Sequence, residues 1–175
     1  PPKITRVGPE RLMVAALYNR TMLVCQAEGN PPPAYQWLQK TSTAEETVYV
    51  RGAEHMLVIH NVTYEYQGKY ICKATNTISG NERTILSEPI DLNVVGAPQV
   101  LRHSVEREVA VEKGSDAALS VMFCSNPEPT KALWEWGSNQ LESGYKMGRF
   151  VAEGITKERI DTIGKITCTG MPADV

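Results

Sequence analysis

The chain has 175 residues, enough for one large domain or for two domains of about 100 residues each. Apolar residues make up 42% and charged residues 22%, which excludes a disordered chain and a coiled coil. The net charge is −2, with 9 basic and 9 acidic residues in 1–95 and 9 and 11 in 96–175, so neither half has the basic excess that nucleic-acid binding requires.

Alternating apolar residues and turn formers predict short strands throughout the first half. Residues 1–9 contain Pro1, Pro2 and Pro9, which is typical of an edge strand because proline cannot donate to a sheet ladder. Gly80 and Asn81 suit the positive φ angles of a hairpin turn. Strands are predicted at residues 1–9, 11–16, 21–28, 34–38, 48–50, 56–59 and 83–95. A further strand contains Tyr70 and Cys72 and follows a corner at 66–68. Residues 96–98 are predicted to be a short linker.

The second half repeats this plan. Without any gap, residues 25–40 align with residues 124–139, which places Trp136 over Trp37. Strands are predicted at 105–112 and 117–124, at 145–150 as a half-buried strand, and at 164–168, where Gly164-Lys-Ile-Thr-Cys168 aligns with Gly68-Lys-Tyr-Ile-Cys72. The repeat favours two domains, 1–95 and 96–175. Only seven residues follow Cys168, too few for a further turn and a full strand.

The stretch around Tyr70 and Cys72 organises the first half. These two residues lie two apart, so an extended strand directs both side chains to one face, which we expect to be the core. Cys25 precedes Cys72 by 47 residues, and Trp37 follows Cys25 by 12. The order is therefore cysteine, tryptophan, cysteine, with a tyrosine two residues before the second cysteine.

The first half resembles I-set domains of immunoglobulin-superfamily adhesion proteins of the nephrin, kirre and echinoid type. The resemblance lies in this order of residues and in two stretches, Cys25-Gln-Ala-Glu-Gly-Asn-Pro-Pro-Pro-Ala-Tyr-Gln-Trp37 and Leu57-Val-Ile-His-Asn-Val. The resemblance implies an all-β fold of two tandem immunoglobulin-like β-sandwiches, the second incomplete at its C-terminal strand. Tyr66 departs from the family pattern, because aspartate is usual there and commonly pairs with an arginine.

Further expectations follow from the resemblance and the repeat. Cys25 is expected to pair with Cys72 and Cys124 with Cys168, each pair joining strands of opposite sheets. Trp37 and Trp136 are expected in the two cores, each against a disulfide, and the Tyr70 hydroxyl is expected to bond to backbone at the preceding corner. Ile166 replaces the corner tyrosine in the second half, so that contact is expected only in the first.

Disulfides persist outside the cytosol, and two Asn-x-Thr triplets agree with that compartment. Asn19 and Asn61 are therefore the candidate N-glycosylation sites, and Asn61 is favoured because it falls at a predicted turn. The beginning Pro1-Pro2-Lys-Ile is unlike a signal peptide, and no apolar run approaches the 18 residues of a membrane span. We interpret the chain as a piece of a longer ectodomain whose parent is anchored in a membrane, without membrane contact by the piece itself.

No pattern predicts catalysis, a cofactor or a metal. His55 and His60 lie five apart, hence on opposite faces of a strand, and no free cysteine joins them or His103 as a metal ligand. Ser115 lies in a turn rather than a nucleophile elbow, and there is no glycine-rich phosphate loop. Among exposed aromatic residues, which commonly anchor protein partners, Tyr49 and Tyr145 are the candidates.

Three functions remain open from the sequence. The first is cell adhesion or recognition, with homophilic or heterophilic binding of another cell-surface protein, expected to be of the immunoglobulin superfamily, or only a spacer role. The second is the ligand-binding ectodomain of a signalling receptor of the tyrosine kinase or phosphatase type. The third is an intracellular filament module, which the disulfides and glycosylation triplets disfavour.

Overall fold

The computed structural model describes residues 1–40, 48–100, 105–159 and 167–174, with side-chain surroundings as far as residue 156. In these ranges the regular structure is β-strand, apart from one 3-10 turn at Tyr64–Tyr66. This confirms the all-β prediction. The chain divides into two compact units between Val95 and Gly96, and we describe unit 1 (up to Val95) and unit 2 (from Gly96) separately.

Unit 1 contains two sheets built from nine strands. The bounds are β1 (Lys3–Gly8), β2 (Leu12–Ala16), β3 (Thr21–Glu28), β4 (Ala34–Lys40), β5 (Val48–Gly52), β6 (Met56–Ile59), β7 (Gly68–Ile78), β8 (Asn81–Leu86) and β9 (Ile90–Val100), of which residues 96–100 belong to unit 2.

The smaller sheet has the order β1-β3-β6, and all its pairs are antiparallel. The larger sheet of unit 1 has β5, β4 and β7 in antiparallel order, and the free edge of β7 is filled by β8 along Lys73–Ile78 and by β9 along Gly68–Tyr70. β2 pairs with β9 in parallel. The chain therefore leaves the smaller sheet after β1 and joins the larger one at β2.

The core of unit 1 lies between the two sheets because alternate residues of each strand face inward. Leu23, Cys25, Trp37, Tyr70 and Cys72 are all fully buried. The Cys25–Cys72 disulfide, with an S–S length of 2.08 Å, links β3 of the smaller sheet to β7 of the larger, which confirms this predicted bond. Closing a loop of 47 residues, it is worth about 4 kcal/mol by restriction of the unfolded chain.

Three details of unit 1 differ from the prediction. The positive φ angles of the hairpin turn fall at Ser79 and Gly80, with values of 50° and 77°, rather than at Asn81. The strand predicted at 83–95 is interrupted before β9 at Pro89, whose nitrogen cannot donate a hydrogen bond. Residues 96–98, predicted as a linker, lie within β9.

Unit 2 is formed by the end of β9 and seven further strands. Their order is β13-β14-β16-β10-β9, with β15 also paired to β16, and β11 and β12 form a separate hairpin. The bounds are β10 (Ala118–Asn126), β11 (Leu133–Trp136), β12 (Asn139–Glu142), β13 (Lys146–Met147), β14 (Phe150–Ala152), β15 (Thr156–Arg159) and β16 (Thr167–Asp174).

Predictions for unit 2 were less accurate. Residues 105–112 alternate in polarity but form no strand, so the strand predicted there is wrong. The single strand predicted at 145–150 is two short strands, because Gly148, with φ of 60°, makes a turn between them. Trp136 is half-buried rather than a core residue, with its ring centroid 4.9 Å from that of Phe150. Its strand pairs only with β12 among the described strands, and Phe150 belongs to β14 in the other sheet of unit 2.

The cysteines of unit 2 also depart from the expected arrangement. Cys124 is disulfide-bonded. The side chain of Cys168, its predicted partner, lies outside the described side chains, and so does all of Ile166. The backbones of Cys124 and Cys168 are directly opposite on β10 and β16, which are neighbours in one sheet. The expectation that they lie on opposite sheets, as Cys25 and Cys72 do, is therefore wrong.

Candidate interaction surface

A corner of unit 1 is fixed by hydrogen bonds to backbone. The Tyr70 hydroxyl donates to the Tyr66 carbonyl at 2.5 Å, as the tyrosine-corner resemblance implied. The fully buried Gln39 amide donates to the carbonyls of Glu65 at 2.8 Å and Gln67 at 2.9 Å. These bonds hold residues 65–67 against β4 and β7. Burial raises the pKa of the Tyr70 hydroxyl well above its usual value, although the neighbouring Arg51 opposes the shift.

Arg51 completes this corner, at which the family pattern has an aspartate in the position of Tyr66. Its Nε donates to Gln39 Oε1 at 2.6 Å, which satisfies the buried amide oxygen. Its guanidinium carbon lies 4.8 Å from the ring centroid of Tyr66 and 5.3 Å from that of Tyr49. A cation–π contact thus stands in the place of the expected carboxylate salt bridge.

Tyr49 is not on the outer face of the larger sheet. It is half-buried and lies opposite Gln39 in the β4–β5 ladder, so it shares the inward-facing side of the sheet with that buried residue. Its ring contacts Arg51. Tyr49 therefore belongs to the corner, and its prediction as an exposed partner anchor is wrong.

The outer face of the larger sheet carries an apolar row instead. Leu38 of β4 lies directly opposite Val50 of β5 on one side and Ile71 of β7 on the other. Leu86 of β8 lies opposite Lys73, one step along the same face of β7 from Ile71. Side chains opposed across neighbouring strands touch, and diagonal ones are within reach of long side chains. We call Val50, Leu38, Ile71 and Leu86 the outer apolar row.

This row is open to solvent at both ends. Val50 is 60% and Leu86 57% exposed, whereas Leu38 and Ile71 between them are half-buried by their neighbours. At the far edge of the same sheet, Leu12 and Val14 of β2 are 73% and 70% exposed. Large apolar side chains are thus displayed along the sheet face that the core does not use.

Charged residues border the outer apolar row. Lys69 lies next to Lys40 in the β4–β7 ladder, and its Nζ forms an ion pair of 3.4 Å with Asp91. On the other side of Ile71, Lys73 lies opposite Gln36 of β4. An apolar centre with a polar rim is the arrangement typical of protein–protein interfaces.

The outer apolar row went unpredicted from the sequence because only aromatic residues were considered as partner anchors. The sequence does contain a sign of this surface. Leu38 is adjacent to Trp37, and Ile71 lies between Tyr70 and Cys72, so both apolar side chains are on the strand face opposite the core residues. An apolar residue on the face opposite the core marks a surface that something else covers. Only the strand register, which aligns Val50, Leu38 and Ile71, shows that these residues form one row.

The other predicted residues lie elsewhere. Tyr145 of unit 2 is 64% exposed and precedes β13. Asn19 and Asn61 are exposed in turns of unit 1, after β2 and β6 respectively. His55 makes an edge contact with the Tyr35 ring at 6.2 Å, and His103 falls outside the described residues. Among the described residues no cluster of histidine, cysteine or carboxylate side chains suits a metal ion.

Comparison with known proteins establishes the family. Residues 1–76 match the family model described as immunoglobulin domain. This part of the chain belongs to the immunoglobulin superfamily. The match to an immunoglobulin domain agrees with the prediction that this segment is not an enzyme. In the described part of this immunoglobulin chain, no helix is long and apolar enough to cross a membrane.

Three relatives illustrate the similarity. Kin of IRRE-like protein 3 of Homo sapiens is 29% identical over 158 residues, covering 90% of this chain and 18% of the relative. Tyrosine-protein kinase-like otk of Drosophila sechellia is 33% identical over 156 residues, covering 83% and 14%. Limbic system-associated membrane protein of Gallus gallus is 32% identical over 136 residues, covering 78% and 36%. The chain thus spans between 14% and 36% of the length of these three relatives.

A solved structure shares the fold. The crystal structure of Dpr2 Ig1-Ig2 in complex with DIP-Theta Ig1-Ig3 matches with a TM-score of 0.55 and 20% sequence identity. The match covers 100% of this chain and 55% of that one. At this identity the comparison supports the immunoglobulin fold.

Proposed function

We propose that this chain is an extracellular segment of a cell-surface adhesion or recognition protein, and that unit 1 binds another immunoglobulin-superfamily domain through the outer apolar row. The relatives include a membrane protein by name, Limbic system-associated membrane protein, and the Cys25–Cys72 disulfide is of the kind that persists outside the cytosol. The similar solved structure is, by its title, a complex between two proteins with Ig domains.

The outer apolar row is the observation that carries this proposal. The inner face of the same sheet already fills the core with Trp37, Tyr70 and Cys72, whereas the apolar side chains on the outer face take no part in that core. Val50 and Leu86 expose more than half of their surface. A rigid β-sheet with an apolar centre and a charged rim binds a flat partner surface, such as the sheet of another sandwich, with little loss of conformational entropy.

A second candidate is the ligand-binding ectodomain of a signalling receptor. It is favoured by the similarity to tyrosine-protein kinase-like otk, which is 33% identical over most of this chain. The same outer face would then bind a ligand rather than a domain on an opposing cell. The presence or absence of an intracellular kinase-like domain in the parent protein distinguishes the two candidates.

The test replaces exposed apolar residues of the row with aspartate. The purified chain is sedimented over a range of concentrations for self-association, and a multimerised form is bound to an array of immunoglobulin-superfamily ectodomains. We expect Val50→Asp and Leu86→Asp each to weaken the detected association by about 30-fold, corresponding to roughly 2 kcal/mol for a residue at the centre of an interface.

Val111→Asp is the matched control, because Val111 is 51% exposed, belongs to unit 2 and undergoes the same change of side chain. It should leave the association unchanged. The proposal fails if the chain neither associates with itself nor binds any ectodomain of the array. It also fails if the association persists in both outer-face variants.

A further inference from the structure

We propose that Asn19 and Asn61 both carry N-linked oligosaccharides, and that the two glycans form a single shield over one end of unit 1. Each asparagine begins an Asn-x-Thr triplet, completed by Thr21 and Thr63 respectively. Triplets of this kind arise by chance in any sequence, so the proposal depends on where the fold places these two.

The fold brings the two triplets together although 42 residues separate them in the sequence. The Tyr18 amide donates to the Val62 carbonyl at 2.8 Å, and the Val62 amide donates to the Asn19 carbonyl at 3.0 Å. Val62 directly follows Asn61. The two acceptor asparagines therefore lie in adjoining turns, joined by a pair of backbone hydrogen bonds.

Both turns are held firmly while their asparagines are exposed. Val62, in the middle of the second triplet, is fully buried, and the Asn19 amide donates to the Ala16 carbonyl at 3.2 Å. Asn19 and Asn61 themselves are exposed. Anchored turns with exposed asparagines project both glycans outward from the same place.

The shared end is the one at which β9 leaves unit 1. The Leu17 amide, beside the Asn19 turn, donates to the Val95 carbonyl at 2.8 Å. The opposite end of unit 1 carries the hairpin turn at Ser79 and Gly80, where no Asn-x-Thr triplet occurs. The bulk of the sugar is thus confined to one end of the unit.

The modification takes place in the secretory pathway, with a lipid-pyrophosphate-linked oligosaccharide as co-reactant. The asparagine amide nitrogen forms a bond to the anomeric carbon of the sugar. The bond from that carbon to the pyrophosphate oxygen breaks, the amide loses one proton, and the lipid pyrophosphate leaves. The Cys25–Cys72 disulfide is consistent with a chain that passes through that oxidising compartment.

The placement also restricts how a partner approaches, and this consequence rests on the proposed function. Along β4, the Leu38 position of the outer apolar row is two residues from Lys40, where the strand ends nearest the corner at 64–66. The Gln36 and Lys73 positions lie farther from that corner. Val50 and Asn61 line one cavity, so the Asn61 glycan lies nearest the Val50 end of the row. The glycans leave the half of the outer face towards Leu86 and the hairpin turn open, and a partner approaches from that side.

The experiment measures occupancy first. The chain is secreted from cultured animal cells as wild type, Asn19→Gln, Asn61→Gln and the double variant, and treated with peptide N-glycosidase. We expect the wild type to lose two glycans, each single variant one and the double variant none, with the sites located by peptide mass spectrometry. Absence of sugar from either asparagine in the wild type overturns the proposal.

The second measurement tests the shared shield on the folded protein. We expect the native glycan on Asn61 to be removed several-fold faster in Asn19→Gln than in wild type, because the adjoining glycan no longer obstructs the enzyme. Lys113→Asn, which completes a triplet with Ser115 in unit 2, supplies a control glycan whose removal should not depend on Asn19. Equal rates of release at Asn61 with and without the Asn19 glycan overturn the shield.

The two proposals fail separately. Both deglycosylation readouts use no binding partner, so they stand whether or not the outer apolar row binds one. The relation between them is tested by Glu82→Asn, which completes a triplet with Thr84 on the exposed outer face of β8. We expect this added glycan to abolish any association detected by the array, whereas removal of both native glycans should leave that association intact.

Discussion

At the scale of single residues, Arg51 shows how unit 1 maintains its corner without an aspartate. The arginine donates to the buried Gln39 and lies over the Tyr66 ring. The positive charge of its guanidinium group is therefore stabilised by an aromatic ring, although tyrosine stands where the family has aspartate. The sequence placed this salt bridge in doubt but contained no sign of its replacement. The partner is Tyr66 itself, brought to Arg51 by the fold rather than by proximity along the chain.

Because the Tyr70 hydroxyl is buried, we expect unit 1 to lose stability at high pH. Its pKa is raised in the folded state by burial, so the folded form retains a proton that the unfolded form loses above its usual pKa of about 10. This contribution to the free energy of unfolding is fully present below that pH and is lost as the pH rises towards the folded pKa. Denaturant titrations from pH 9 upward should show the decline, and Tyr70→Phe should show a smaller one. An equal decline in both proteins would contradict this account.

Residue-level predictions succeeded where local pattern determines the environment. Period-two alternation identified Trp37, Tyr70 and Cys72 as one face, and all three are fully buried. The misassignment of Tyr49 has a different cause. The ladder between β4 and β5 shifts register between Trp37 and Leu38, and no sequence pattern revealed which face of β5 would turn inward.

At the scale of elements, the strands of unit 1 were predictable because each alternates and ends at a proline, glycine or polar turn. In unit 2, residues 105–112 alternate equally well but form no strand, since a strand also needs a neighbour to pair with. Trp136 alternates like a core residue as well, but it lies on a two-stranded hairpin and, with its ring packed on Phe150, stays half-buried. Alternation predicts the capacity for a strand, and long-range pairing decides whether it forms.

Gly68 is the element-level position most sensitive to change. It begins β7 with φ of 143°, and a Cβ atom there would lie 2.6 Å from the Lys40 carbonyl oxygen. Gly68→Ala should therefore push β4 and β7 apart at the corner and cost about 1–3 kcal/mol of unfolding free energy. Urea titration followed by circular dichroism measures the loss.

Gly80→Ala provides the comparison for that loss. Gly80 also has positive φ, at 77°, but a Cβ atom there would meet no described residue within 4 Å beyond its two chain neighbours. The substitution should cost less than Gly68→Ala, because only the backbone conformation is strained. If Gly80→Ala is as costly as Gly68→Ala, the steric explanation for Gly68 is wrong.

At the scale of the whole molecule, we expect residues 1–95 to fold without the remainder. The two sheets of unit 1, its core and its disulfide all use residues from this range. Trp37 is the only tryptophan in 1–95 and reports on the core by fluorescence. The isolated segment should unfold cooperatively. Its unfolding midpoint should be close to the midpoint that Trp37 fluorescence gives for the full chain in which Trp134→Phe and Trp136→Phe remove the other two tryptophans. A segment that is unfolded at room temperature would refute the boundary at Val95.

The parallel pairing of β2 with β9 has a mechanical consequence. Five register pairs, from Leu12 opposite Asp91 to Ala16 opposite Val95, join the strand that follows the amino end of unit 1 to the strand that leaves it. Pulling these two ends apart slides the strands past one another, so the ladder hydrogen bonds bear the force together instead of opening one after another. Unit 1 should therefore resist stretching along the chain, which is the load that the proposed adhesion function would place on it.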